Sequence, residues 1–171
     1  GDKSTGKAPE FAVITVETTT ANLTNSYPAT IKGKQDVEIR PMVSGFITKL
    51  HVDEGSVVRK GQVLFSIDPV QYQAAVNSAK AAVETAKAAV NTQELTVSNK
   101  RTLNQKNIIS DYDLQMAENQ LAQTKAQLAQ AEAQLVNAQN NLSYTNVTSP
   151  SDGIVGTIPY RVGSLVSPSM A

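Results

Sequence analysis

Residues 76–97 read VNSAKAAVETAKAAVNTQELTV, and valine returns in this stretch every seven residues. Leucine shows the same interval farther along the chain, at Leu114, Leu121, Leu128, Leu135 and Leu142. Alanine fills companion positions in both stretches, at Ala79, Ala86, Ala117, Ala131 and Ala138. An apolar repeat of seven residues is typical of helices that pair as a coiled coil. The sequence therefore predicts two paired helices, and the alanines predict that they approach each other closely.

The ends of the two predicted helices carry their own signals. No glycine and no second proline occurs between Pro69 and Leu142, where alanine, glutamine, asparagine, glutamate and lysine dominate, as in long exposed helices. Asp68 and Pro69 predict the start of the first helix. Ser110, with Asp113 three residues on, predicts an N-cap that starts the second helix after a turn. Two such helices make a hairpin on the order of 50 Å long.

The segments on either side of the hairpin are predicted to be strands, and they repeat each other. Short β-branched stretches there alternate with glycine, proline and aspartate. Seven positions match in residue character when 108 is added to the residue number: Ile39, Gly45, Ile47, Leu50, Gly55, Ser56 and Val58 correspond to Val147, Gly153, Val155, Ile158, Gly163, Ser164 and Val166. Half a β-module of this size cannot bury its apolar face alone. The two copies are therefore predicted to fold against each other as one flattened β-sandwich.

Composition excludes several classes of function. The chain has 15 basic and 15 acidic residues without a basic cluster, which argues against nucleic-acid binding. It has no cysteine, and its one histidine, His51, has no Asp, His or Cys at ligand spacing. The sequence therefore predicts no catalytic residue, no metal site and no cofactor, and the chain is not expected to be an enzyme. No apolar run approaches the roughly 20 residues that cross a bilayer.

Three stretches resemble a known protein family. Ile39–Leu50, His51–Asp68 and Thr148–Val155 are similar to the two half-motifs of a lipoyl domain that is split by a helical hairpin. This split is the mark of periplasmic adaptor proteins, or membrane fusion proteins, of tripartite efflux pumps of the resistance-nodulation-division type. The resemblance implies an α+β fold, in which a lipoyl-like flattened β-sandwich is split by a long antiparallel α-helical coiled-coil hairpin.

The resemblance also implies a division of the chain into domains. It places an N-terminal leader and the leading strands of incomplete membrane-proximal and β-barrel domains in residues 1–35. The first lipoyl half occupies residues 36–68, the hairpin residues 69–144 with its tip near 104–110, and the second lipoyl half residues 145–171. In this family, the strands that complete the other two domains follow the lipoyl domain. We therefore expect these residues to be part of a longer protein.

Adaptors of this family link an inner-membrane multidrug efflux transporter to an outer-membrane channel. Their lipoyl domains line up in a ring, usually a hexamer, and their hairpins form a tube. The resemblance thus implies three kinds of partner, namely the transporter, the channel and further copies of the chain, with no nucleic acid and no cofactor. It implies a periplasmic location and anchoring to the inner membrane through an N-terminal lipid or a segment outside this sequence.

The resemblance extends to the tip of the hairpin, where the family recognises its channel. The family motif is an Arg, a Leu four residues on and a Ser seven residues after that Leu. Leu103 and Ser110 match the Leu and Ser, whereas Asn99 stands at the Arg position. The candidate contact residues implied by this partial match are Asn99, Lys100, Arg101, Leu103, Ile109 and Ser110. Each also has a structural interpretation: Ser110 as an N-cap, the apolar pair as closure of the coiled coil, and the others as solvent-exposed residues.

Two other functions stay open on sequence alone. The first is an adaptor of an ATP-driven exporter or a type I secretion system, which would share every feature described above except, at most, the tip and further C-terminal domains. The second is a lipoyl or biotinyl carrier subunit. That class presents its cofactor on a lysine in a tight turn between the two halves, but Lys80 and Lys87 lie in predicted helix. The carrier is therefore the less favoured alternative.

Overall fold

The structure is a computed structural model that describes residues 37–170. The predicted leader and leading strands of residues 1–35 lie outside this range. Six strands and two helices follow each other in the order β1-β2-β3-α1-α2-β4-β5-β6 among the described residues. Their bounds are β1 Gly45–Leu50, β2 Val57–Val58, β3 Val63–Ile67, α1 Val70–Gln105, α2 Asp111–Ser143, β4 Asn146–Thr148, β5 Gly153–Ile154 and β6 Leu165–Val166. They form two compact units.

The larger unit contains the helical hairpin, which confirms the predicted coiled coil. Helix α1 has 36 residues and α2 has 33. Helix α1 starts one residue later than the sequence indicates, because Pro69 precedes the first helical residue. The Asp68 carboxylate still accepts a hydrogen bond from the Val70 N–H, at 3.1 Å. An acidic side chain therefore satisfies one of the free N–H groups at the start of α1.

The seam between the helices is built differently on its two sides. Helix α1 buries its valine row, which consists of Val76, Val83, Val90 and Val97. Helix α2 buries Ala117, Thr124 and Ala138, whereas the leucine row beginning at Leu114 is only half-buried. Small side chains thus lie at the centre of the seam and the leucines flank it. The heptad pattern correctly predicted both rows but did not indicate which row α2 would bury more deeply.

The larger unit also holds a four-stranded sheet in the order β4-β3-β1-β6. All its neighbouring strands are antiparallel. Ile47 of β1 lies opposite Ile67 of β3, and these two residues and Val166 of β6 are the most deeply buried large side chains. Strands β3 and β4, which lead into and out of the hairpin, pair with each other through Phe65 and Val147. The base of the hairpin is therefore fixed by adjacent strands.

The smaller unit comprises residues 37–39, 52–62 and 149–159 among those described. Its sheet consists of β2 and β5, which pair antiparallel. Val58 is buried here, and the Gly61 N–H donates to the Ser149 carbonyl oxygen at 2.7 Å. The Lys60 N–H donates to the Asp152 carboxylate at 2.8 Å. Hydrogen bonds between distant parts of the sequence therefore hold this unit together.

The two sequence copies pair with each other, as the repeat predicts. In the first sheet Gly45 of β1 lies opposite Val166 of β6. Shifting both numbers by 108 gives Gly153 and Val58, which lie opposite each other in β5 and β2. The first strand of each copy therefore pairs with the second strand of the other. Neither copy can complete its hydrogen bonds without its counterpart.

The turns before β2 and β6 repeat the same geometry. The Asp53 N–H donates to the Ser56 hydroxyl, and the Arg161 N–H donates to the Ser164 hydroxyl, both at 3.0 Å. Gly55 has a φ of 86° and Gly163 has a φ of 94°. Only glycine adopts such angles without strain. The repeated Gly-Ser pair is therefore a turn signal in both copies.

Candidate partner-binding tip of the hairpin

The end of α1 is closed by backbone hydrogen bonds. Asn107 takes the left-handed conformation, with a φ of 61°. Its N–H donates to the Asn104 carbonyl oxygen, and the Ile108 N–H donates to the Leu103 carbonyl oxygen, both at 2.9 Å. This pair of bonds is the Schellman motif, which satisfies carbonyl groups at a helix end. The chain therefore reverses through an ordered turn.

Side chains connect this turn to α2. The Ser110 hydroxyl accepts a hydrogen bond from the Asp113 N–H at 3.1 Å, so the predicted N-cap is confirmed. The Asn104 amide donates to the Asp111 carboxylate at 2.8 Å and to the Ile109 carbonyl oxygen at 3.3 Å. Asn104 therefore ties the last turn of α1 to the first turn of α2 and limits the freedom of the tip.

One ion pair crosses between the helices just below the turn. The Arg101 guanidinium lies 3.0 Å from the Glu118 carboxylate. Both side chains are partly exposed, so this pair contributes at most about 1 kcal/mol to stability. It adds one more link between α1 and α2 near the turn.

Three large apolar side chains remain exposed at the end of the hairpin. The exposed fraction is 64% for Ile108, 70% for Tyr112 and 53% for Met116. Tyr112 and Met116 are one helical turn apart on α2, and Ile108 precedes them in the turn. We call these three residues the tip surface. Exposed apolar residues that cluster in this way often mark a contact with a partner.

The structure places the six candidate contact residues at different heights. Leu103 and Ile109 are half-buried at the turn, and Ser110 lies beside them as the N-cap. Asn99 and Lys100 lie about 5 to 6 Å farther down α1 than Leu103. Arg101 is engaged by Glu118. Their role in binding a partner stays a prediction.

Two features of the tip were not predicted from the sequence. Asn104 lies seven residues after Val97, so it continues the buried valine row with a polar residue. A polar side chain at such a position indicates a specific hydrogen bond, and this signal was available in the sequence. Ile108 gave no comparable signal, because its exposure depends on the conformation of the turn.

A shallow cleft of about 440 Å³ lies at the base of the hairpin, lined in part by Thr48, Ser66 and Asn146. The Ser66 hydroxyl donates to the Asn146 side-chain oxygen at 2.9 Å and lies 2.8 Å from the His51 ring nitrogen Nε2. Within residues 37–170, no group of three acidic, His or Cys residues is arranged to hold a metal ion. The polar groups of the cleft hydrogen-bond to one another across the strands, which favours a structural role.

Within the same described range, no helix is both long and apolar enough to cross a bilayer.

Comparison with known proteins gives relatives of one kind. A family model described as "RND MFP, barrel-sandwich hybrid domain" matches residues 35–171. Multidrug resistance protein MdtE from Escherichia coli K12 is 34% identical over 99% of this chain and 45% of its own length. Multidrug efflux pump subunit AcrA from the same strain is 38% identical over 95% of this chain and 41% of its own length. The chain thus spans less than half the length of these relatives.

A solved structure supports the same assignment. MacA from Actinobacillus actinomycetemcomitans matches with a TM-score of 0.65 and 29% identity, over 77% of this chain and 45% of that one. The split β-module and the interposed hairpin agree with the family that the family model indicates. The chain belongs to the barrel-sandwich hybrid family of membrane fusion proteins of the resistance-nodulation-division class.

Proposed function

We propose that this chain is the hairpin-bearing part of a periplasmic adaptor that joins an inner-membrane multidrug efflux transporter to an outer-membrane channel. The main observation in support is the hairpin, whose helices of 36 and 33 residues reach about 50 Å from a β-module that holds both of its ends. Such a hairpin suits a spacer between two partners. The names of MdtE and AcrA, which refer to multidrug resistance and efflux, support drug export as the process served.

The tip surface is the part of the hairpin that we assign to the channel. Charged residues flank its apolar side chains in the sequence, with Lys106 before the turn and Asp111 after it. An apolar centre with a polar rim is the usual anatomy of a protein–protein contact. In this proposal the half-buried Leu103 and Ile109 support the tip surface from below, and the Asn104 hydrogen bonds keep it in shape before the partner arrives.

The remaining parts of the assignment concern the assembly. The adaptor acts without catalysis, as a conduit and seal made of several copies arranged in a ring. It is held at the inner membrane through a lipid or a segment that precedes the described residues. A carrier function receives no support from the fold, because the two β half-motifs are joined by α1 and α2. The carrier class instead joins its halves by a short turn that bears a lysine.

Crosslinking in intact cells tests the proposed contact. A photoreactive amino acid at Ile108, which is exposed at the tip, should give an adduct with an outer-membrane channel protein. The matched control carries the same group at Lys80, which is exposed on α1 about 37 Å from its last residue. We expect no channel adduct from that position. Adducts at Ile108 with the inner-membrane transporter alone would contradict the proposal.

A further inference from the structure

The seam between the two helices does not select one register by itself. Valine recurs every seven residues on the α1 side, and the buried residues of α2 are all small. Sliding one helix along the other by one heptad, about 10.5 Å, would therefore bring much the same side chains together again. The turn and the paired strands β3 and β4 fix the register only at the two ends of the hairpin. A coiled coil with so uniform a seam needs a further feature to specify its register in between.

Charged residues form two rows on one side of this seam. Each row repeats every seven residues, and we call the two together the charged rows. The row on α1 consists of Lys80, Lys87, Glu94 and Arg101, and the row on α2 consists of Asp111, Glu118, Lys125 and Glu132. The Arg101 guanidinium lies 3.0 Å from the Glu118 carboxylate, so both rows lie on the same side of the seam.

The observed ion pair defines which residues of the charged rows meet. Because α1 and α2 are antiparallel, one heptad toward the base subtracts seven from the residue number on α1 and adds seven on α2. Applied to the observed pair, this rule gives two further pairs, Glu94 with Lys125 and Lys87 with Glu132. All three pairs join opposite charges.

The order of the charges along the rows distinguishes this register from its neighbours. A displacement by one heptad in one direction leaves two charged pairs, and both join like charges: Arg101 with Lys125, and Glu94 with Glu132. A displacement in the other direction gives two pairs of like charge and two of opposite charge, so attraction and repulsion cancel. Only the observed register has three attractive pairs and no repulsive one.

We propose that the charged rows form a ladder of three ion pairs that holds α1 and α2 in this one register between the turn and the four-stranded sheet. The inference goes beyond the proposed adaptor function, because it concerns the hairpin of a single copy. A shift of register between two fixed ends would have to be absorbed as a bulge or kink in one helix. By disfavouring such a shift, the ladder keeps the hairpin straight and the tip surface at a constant distance from the sheet.

The three pairs differ in how many partners compete for them. The Lys87 ammonium group lies 3.7 Å from the Glu84 carboxylate on the same helix, and both side chains are mostly exposed, so Lys87 exchanges between two carboxylates in the ladder. The central pair of Glu94 and Lys125 has no such competitor, because no charged residue stands three or four positions from either one. This pair therefore gives the clearest test of the ladder.

Charge reversal at the central pair tests the ladder by stability. Glu94→Lys and Lys125→Glu should each raise the equilibrium constant for unfolding about fivefold in urea at low ionic strength, because repulsion replaces attraction. The double variant should return to within about twofold of the original chain, and at about 1 M salt all differences should vanish through screening. Gln127→Lys, at an exposed position outside the charged rows, is the control and should have little effect. Additive losses in the double variant, or an equal loss in the control, would overturn the proposal.

Distances between the helices test the register itself. The chain has no cysteine, so spin labels can be attached through Asn91→Cys on α1 and Gln130→Cys on α2, both at exposed positions. Pulsed electron paramagnetic resonance should give one narrow distance distribution for the original charges.

A second distance should appear when all three α1 charges of the ladder are reversed, by Lys87→Glu, Glu94→Lys and Arg101→Glu. The single distance should return when the three α2 partners are reversed as well, by Glu118→Lys, Lys125→Glu and Glu132→Lys. One unchanged narrow distance in every variant would show that the ladder does not set the register. These measurements need neither the channel nor the transporter, so either result leaves the adaptor function to be decided by the crosslinks from Ile108.

Discussion

At the scale of single residues, Gly45 marks the closest approach inside the larger sheet. A Cβ atom added at Gly45 would lie 2.5 Å from the Cγ2 atom of the deeply buried Ile67. Because Ile67 has no room to move away, Gly45→Ala should lower the free energy of unfolding by about 1–3 kcal/mol. Urea denaturation of the protein measures this change directly.

The sequence repeat supplies the matched control for this substitution. Gly153 stands 108 positions after Gly45, and no atom lies within 4 Å of a Cβ added there. Gly153→Ala should therefore change stability by less than about 1 kcal/mol, and it can be slightly stabilising because alanine restricts the unfolded chain. Equal losses at both positions would show that the contact with Ile67 is not the reason for glycine at position 45.

These two glycines also show what the sequence could and could not predict. The repeat predicted that Gly45 and Gly153 occupy equivalent strand positions, and their pairing with Val166 and Val58 confirms this. The repeat could not predict that, of the two glycines, only Gly45 is in close contact with another side chain. That contact depends on β3, which is not among the repeated positions. The same holds at the tip, where the Ser110 N-cap followed from residue types but the exposure of Ile108 did not.

At the scale of elements, the coiled coil should depend on its valines far more than on its exposed apolar residues. Val90 is buried in the seam, so Val90→Ala should cost about 2 kcal/mol through lost burial and a residual cavity. Leu95 is mostly exposed, and Leu95→Ala should change the stability of a single hairpin by less than about 0.5 kcal/mol. Thermal unfolding followed by helical circular dichroism at low protein concentration compares the two variants. A larger loss for Leu95→Ala would mean that the seam has been assigned to the wrong face.

The hairpin also shows the limit of heptad reasoning. Periodicity predicted both helices and their turn, because seven-residue spacing and caps are local properties of the chain. It did not indicate that Thr124 would be buried with Ala117 and Ala138, since threonine is polar. Its hydroxyl donates to the Gln120 carbonyl oxygen at 2.8 Å within α2, so the polar group is satisfied and the residue fits among the small ones.

At the scale of the whole molecule, the fold follows from an exchange of strands between two copies of one short unit. The hairpin enters after β3 and returns before β4, and these strands are neighbours in the sheet. A long insertion between them is tolerated because its two ends are already adjacent. The same arrangement supports the helices at their base without any contribution from the tip, which leaves the tip free to vary with its partner.

The exchange of strands predicts that the two Gly-Ser turns contribute equally to the stability of the fold, although they lie more than a hundred residues apart in the sequence. Gly55 and Gly163 both have positive φ angles and have no atom within 4 Å of an added Cβ, so the penalty for alanine is conformational in both turns. Gly55→Ala and Gly163→Ala should each lower the free energy of unfolding by about 1–2 kcal/mol. The double variant should lose the sum of the two, because each turn is closed by its own local hydrogen bond. Gly156→Ala, at a glycine without positive φ and with open space around it, is the control and should cost less. Urea denaturation measures these changes. If only one of the two turn variants has a lower free energy of unfolding, the two copies do not support the fold equally, although their hydrogen bonds are alike.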